Sequence, residues 1–163
     1  MLAEAYGKAG QSEEGISVLV QGLATVDKTE ERFYEAELYR LKGTLTLQSK
    51  ASQGQVKGKS KTSQDKSRVR HPKSEITNPQ PLAPSPQAEA EAEACFLKAI
   101  EIARRQSAKS LELRAVMSLA RLWQQRGKQT HARRMLAEIY GWFTEGFDTA
   151  DLKEAKALLE ELE

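Results

Sequence analysis

Gly54-Gln55-Val56-Lys57-Gly58-Lys59-Ser60 is the stretch of this sequence nearest to a chemical motif. A phosphate-cradling loop needs four residues between its glycines, with a strand before it and a helix beginning at the Lys-Ser. Here three residues separate the glycines, no apolar strand precedes them, and a Lys/Ser-rich tract follows, so the spacing rejects a nucleotide loop. The two histidines, His71 and His131, lie far apart, and His131 shares its stretch with Arg133 and Arg134. With Cys95 as the single cysteine, neither an intramolecular disulfide nor a metal ligand set is available. Cys95 precedes Phe96 in a helical pattern and reads as a small buried residue. The glutamates of 87–94 and 154–163 recur as solvated helix faces, and no Ser/His/Asp or Cys/His constellation is apparent. The chain therefore reads as a non-enzyme without cofactor or metal.

What remains is the chemistry of recognition. Arg114, Arg121 and Gln124 fall at i, i+7 and i+10 on one stripe of a helix, away from Leu119 and Trp123. Such a stripe could hold an acidic segment or a C-terminal carboxylate by charge-assisted hydrogen bonds. The basic tract 57–73 is a second candidate, able to hold nucleic acid by counterion release. It has no interleaved aromatic residues and no helical period, so a solvated insertion at a hairpin tip is the better reading and nucleic acid the alternative. Trp142, Phe143 and Phe147 form an aromatic cluster near the end, expected to cover the open end of a helical stack and to seat a terminal helix.

The elements that position these residues are helices, because nothing alternates with period two over a strand's length. Hydrophobic residues make up 39% and aromatic residues 6% of 163 residues, which suits a thin helical protein better than a dense enzyme core. Apolar spacing predicts helices over 2–8, from near Ser12, over 30–48 with Phe33 among its apolar positions, and over 87–106. Further helices are expected over 110–126, 131–140 and 152–162, the last opened by an Asp151/Glu154 capping box. Ile16, Leu19, Val20 and Leu23 are expected to share one face of the second helix. Gly10 and Gly127 mark turns.

Between Ser49 and Pro86 the composition changes. All five prolines lie here, with eight of the 25 Lys/Arg and only two of the 23 Asp/Glu, so a formal charge of +2 hides a net acidic remainder. Such a segment buries too little apolar surface to offset its ordering entropy, and disorder over 49–86 is the expectation. Three parts follow: 1–48, the insertion 49–86, and 87–163. No apolar run approaches bilayer length, and Met1-Leu2-Ala3-Glu4-Ala5-Tyr6 lacks the basic start and apolar core of a signal peptide, so a cytoplasmic protein is expected.

Across the insertion runs an internal repeat. A small residue, a bulky one four later and a third position three beyond recur as Gly15/Leu19/Gly22, Ala92/Phe96/Ala99 and Ala132/Leu136/Ile139. Once the insertion is removed, these recur roughly every 40 residues, placing it inside the middle hairpin. Small residues belong where the helices of a hairpin cross closely. Leu119, Ala120 and Trp123 before Ala132 and Leu136, and Ala3 and Tyr6 before Gly15 and Leu19, resemble the tetratricopeptide pattern. Lys109 to Ala115 and Tyr140 to Leu152 resemble the C-terminal repeat region of bacterial multi-domain signalling proteins, in which a nucleotide cyclase or kinase domain precedes an AAA-type, STAND-like ATPase.

The resemblance implies an all-α, tetratricopeptide-like helical-hairpin solenoid of about three hairpins plus a C-terminal capping helix. It implies a non-catalytic module that holds protein or peptide segments, other domains of a parent protein among them. Met1 falls inside a helix without a cap, as a truncated tail would show, and the open N-terminal face invites self-association.

Overall fold

The computed structural model describes residues 2–29, 32–53 and 84–163, and the regular structure among them is entirely α-helical. Seven helices are described: α1 (Leu2–Lys8), α2 (Ser12–Thr29), α3 (Glu35–Gln53), α4 (Pro86–Arg105), α5 (Lys109–Gln125), α6 (Gln129–Tyr140) and α7 (Ala150–Glu161). None of the described helices is long and apolar enough to cross a membrane. The expected disorder of the insertion, the basic tract 57–73 and the Gly54–Ser60 stretch fall outside the described residues, apart from the flanks of the insertion. Those flanks are helical at both ends, since α3 runs on to Gln53 and α4 already begins at Pro86.

Local chemistry explains several boundaries. Ser85 caps α4, its hydroxyl accepting from the Ala88 N–H at 3.2 Å, and proline at the first helical position loses no hydrogen bond there. Gly10 and Gly127 adopt φ +74° and +71° in the turns after α1 and α5, a left-handed region that favours glycine. The third helix starts later than its apolar pattern predicts. The Glu35 N–H donates to the Arg32 carbonyl in a turn, leaving Phe33 71% exposed rather than in a helix face. In α2 the buried stripe is Ser12, Gly15, Leu19 and Val26, with Gly22 half-buried on the same line. Val20, expected on the packed face, points outward at 49% exposure. Two small residues let α2 approach its neighbours through that stripe instead of through its larger side chains.

Each helix packs on the next in sequence. Beyond that, α1 touches α3, α3 touches α5 and α5 touches α7, whereas the even-numbered helices do not touch one another. Two rows result, one in direct contact along its length and one spread apart. Core residues follow the same order. Ala3, Leu19, Leu41 and Leu45 join α1, α2 and α3, Ala36, Ile102 and Ala103 join α3 to α4, and a larger cluster from Ala92 to Leu162 joins α4 through α7. α3 is apolar on two faces because it is sandwiched between α1 and α2 on one side and α4 on the other.

The most extensive helix contact is between α3 and α4, and it is close. A Cβ placed on Gly43 would lie 2.6 Å from Cε1 of Phe96 and 3.1 Å from the Ala92 carbonyl oxygen. Phe96 is 1% exposed and Ala92 fully buried, so neither has room to withdraw. Gly43→Val is therefore expected to destabilise the fold by about 2 kcal/mol or more through overpacking. Val20→Ser should change stability by less than about 0.5 kcal/mol. Urea denaturation followed by circular dichroism checks both, and equal midpoints for Gly43→Val and the parent would contradict the crossing.

Candidate functional site

The stripe expected on α5 is present, and the chain itself has filled it. Leu113, Val116, Leu119, Ala120 and Leu122 are buried on α5, which turns Arg114 and Arg121 outward. The Arg114 Nε donates to Asp151 Oδ2 at 2.7 Å, and Arg121 Nη2 donates to Glu154 Oε1. Both acids lie on α7. The predicted capping box is thereby corrected: Thr149 is the N-cap of α7 and makes no side-chain cap bond, its hydroxyl donating instead to the Gly146 carbonyl. Asp151 and Glu154 are spent across the helix pair because arginines face them, and a second pairing outcompetes the local cap. Gln124 is half-buried on the same helix.

Leu152, Ala155 and Leu158 bury the other side of α7, with Leu162 just beyond it, and Arg133 of α6 reaches Glu163 at 2.9 Å. Arg114 and Arg121 thus pair within the chain while keeping 43% and 44% of their side chains exposed.

Around that seam the aromatic cluster divides. Phe143 is half-buried against the core, whereas Trp142 is 58% and Phe147 45% exposed. Phe147 leans on Tyr140 at 5.8 Å, and the Lys109 ammonium stands 5.7 Å from the Trp142 ring centroid. Covering the end of the stack therefore falls to Phe143 and the leucines of α7, not to Trp142. A cavity of about 190 Å³ lies beneath, between Leu113, Phe143, Gly146, Thr149 and Leu152.

The repeat residues lie where the helices meet. Ala3, Gly15, Leu19, Ala92, Phe96, Ala99, Leu119, Ala120, Ala132 and Leu136 are all buried, and Tyr6 and Trp123 are half-buried. The Trp123 indole N–H donates to Glu93 Oε1 at 2.7 Å, and Arg126 bridges Glu93 and Glu89. Burial pushes the Glu93 carboxyl up, but hydrogen bonds from Trp123 and Arg126 outweigh it and hold its pKa below the ordinary value.

Glu112 forms a second clamp, and this one is buried. It is 3% exposed at the start of α5, and its two oxygens accept from Arg104 Nε at 2.6 Å and Lys109 Nζ at 2.8 Å. Sequence reasoning missed both clamps because their partners come from different helices; only the Trp123 position, marked by the repeat, pointed toward one. Nearby, Glu35 Oε2 and Gln106 Oε1 are buried without a hydrogen-bond donor.

A second cavity, of about 200 Å³, opens between α1 and α3. Its floor is Leu41 and Leu45, and Lys8, Arg40, Thr44 and Gln48 line its rim. Arg40 is held by a bidentate pair to Glu37, at 2.8 and 2.7 Å. Gly7 lines it too, and a Cβ there would meet Leu45 at 2.8 Å. Among the described residues no three His, Cys, Asp or Glu come together as a metal site, and Cys95 is half-buried, its thiol pKa raised by burial. No protein-family model, curated protein or solved structure matches the chain.

The Glu112 clamp sets a pH dependence. Burial raises its pKa, and hydrogen bonds from Arg104 and Lys109 more than reverse that, leaving it below the ordinary 4.5. A depressed folded-state pKa stabilises the fold above the unfolded value and is lost as pH falls through the folded one. Glu112→Gln should therefore lower stability by about 1–3 kcal/mol at pH 7, and the gap to the parent should shrink as pH drops below 4.5. Thermal melts of both proteins at pH 7 and pH 3 test this; a gap that widens in acid contradicts the clamp. Arg121→Ala, by contrast, removes an exposed pair and should cost less than about 1 kcal/mol, fading with added salt.

Proposed function

We propose that the chain is a tetratricopeptide-like helical-hairpin solenoid that acts as a non-catalytic scaffold, holding protein segments along its odd-helix row. The observation that carries this reading is the contact pattern, in which α1, α3, α5 and α7 touch in series and the even helices do not. A row in contact is shorter than a row spread apart, so the stack bends toward the odd helices and turns them into the wall of a groove. Each unit then offers side chains from one helix to an extended or helical ligand. The segments 109–115 and 140–152, which resemble the repeat tails of bacterial signalling proteins, fit the same reading of an interaction or intramolecular regulatory module.

The ligand site within that groove differs from the stripe first read on α5. With Arg114 and Arg121 engaged by α7, the favoured end is the cavity between α1 and α3. Its rim sets Lys8 and Arg40 against the one carboxylate that Arg40 holds, Glu37, a balance that favours an acidic segment, and Leu41 and Leu45 give an apolar floor.

Selection of a random peptide library on the full chain tests this. Acidic peptides are the expected winners, and Thr44→Glu, which adds a carboxylate to the cavity while leaving the Glu37–Arg40 pair in place, should weaken them at least about tenfold by like-charge repulsion. Winners that bind Thr44→Glu as well as the parent would remove the groove from the reading. A chain lacking 54–83 should be retained on immobilised DNA at the same salt concentration as the full chain. Loss of salt-dependent retention on that deletion would favour nucleic-acid binding by the 57–73 tract instead.

A further inference from the structure

All ten aromatic residues of the chain lie in the described parts, and four of them are exposed: Phe33, Tyr34, Trp142 and Phe147. These four sit in only two places, the connection from α2 to α3 and the connection from α6 to α7. Both connections lead from an even helix into an odd one, so they lie along one edge of the stack, at the starts of the odd helices. The third such connection, from α4 to α5, lies between them and touches both. The Gln106 amide donates to the Arg32 carbonyl on one side, and the Lys109 ammonium stands over Trp142 on the other.

The middle of this edge is positively charged by construction. Glu112, 3% exposed, holds both Arg104 and Lys109, so one carboxylate fixes two cations and leaves a local excess of one. Arg105 beside them is exposed, one turn beyond Glu101, a carboxylate it shares with Lys98. Arg104 keeps 51% of its side chain in solvent, and its Glu112 bond uses only the Nε. The edge thus carries aromatic side chains at either end and pre-positioned cations between them.

We propose that this edge is a docking surface for an extended acidic peptide of a partner protein, with bulky apolar residues flanking its carboxylates. It is a surface separate from the groove between α1 and α3 and does not depend on it. Adjacent odd helices in contact are roughly 8–10 Å apart, so the aromatic ends are separated by about one to two such steps. An extended strand covers that span with about three to six residues. The exposed rings fill the role of anchors that shed water, and the cations between them pair with the carboxylates. The charge pattern favours a peptide over a nucleic acid. Glu145 and Asp148 flank the aromatic residues of the α6–α7 connection, where a continuous polyphosphate would run into them. A peptide with acids only at its centre avoids both.

Fluorescence polarisation with the full chain tests the proposal, using a labelled eight-residue peptide with a leucine near each end and aspartates between. The controls are the same peptide with lysines for aspartates and an eight-nucleotide oligouridylate. The acidic peptide should bind at least about tenfold more tightly than either control. Phe33→Ala and Trp142→Ala should each weaken it roughly fivefold or more, Arg105→Glu should do likewise, and Thr44→Glu should leave it unchanged. Circular dichroism should report parental helicity for all four variants, since the replaced side chains are exposed or line an open cavity. Equal binding of the two peptides, tighter binding of the oligonucleotide, or no binding of the acidic peptide overturns the proposal. So does weakening by Thr44→Glu alone, which would dismiss the edge and leave the groove standing.

Discussion

The approach of α3 to α4 at Gly43 and Phe96 is the contact on which the rest of the chain depends. α3 is the last helix before the insertion and α4 the first after it, so no short connection holds them together. Closing a loop of roughly thirty residues costs about 2 kcal/mol more than closing a four-residue turn. Burying a phenylalanine side chain recovers about that much alone, and Ala36, Ile102 and Ala103 extend the same interface. The absence of a side chain at Gly43 is what lets the Phe96 ring come this close to the α3 backbone. Everything on the N-terminal side reaches the larger core through α3, by this crossing and by the contact of α3 with α5.

Charge has a different task in this molecule. Exposed pairs such as Arg121–Glu154 and Lys98–Glu101 are weak, screened contacts. The less exposed acids are another matter: Glu112 is buried and Glu93 half-buried, and each is met by two donors at once. Each ties one helix to the next at a defined rotation: Glu112 of α5 to Arg104 of α4, and Glu93 of α4 to Trp123 of α5 and to Arg126 at its C-cap. The α4–α5 pair is therefore fixed at both ends by carboxylates and between them by leucine and alanine packing.

The helical character, the turns at Gly10 and Gly127 and the packed repeat positions were legible in the sequence because they follow from period and residue size. Three features were not. The start of α3 falls five residues later than the apolar pattern indicates, because Phe33 is apolar and fits the period while a hydrogen-bonded turn at Arg32 decides the matter. Asp151 and Glu154 carried a correct local signature for a cap, but local propensity yields when arginines on a neighbouring helix compete for the same oxygens. For the same reason the Arg114 and Arg121 stripe looked open to a partner: a single helix shows its outward residues without showing what packs beside them. Gly43 gave no signal of its own, since a glycine within a helix is distinguished only by the ring it admits.

Ala36 meets Ile102 and Ala103 while Gly43 meets Ala92 and Phe96, so α3 and α4 run antiparallel. Gln53 and Pro86 consequently end side by side at the tip of one hairpin. Any folded unit whose own termini are neighbours could be grafted between them, because its ends would match the gap and the crossing below would bear no new strain. The tip is thus a ready-made port for a reporter domain, through which the stack could be given an optical readout without altering either row of helices.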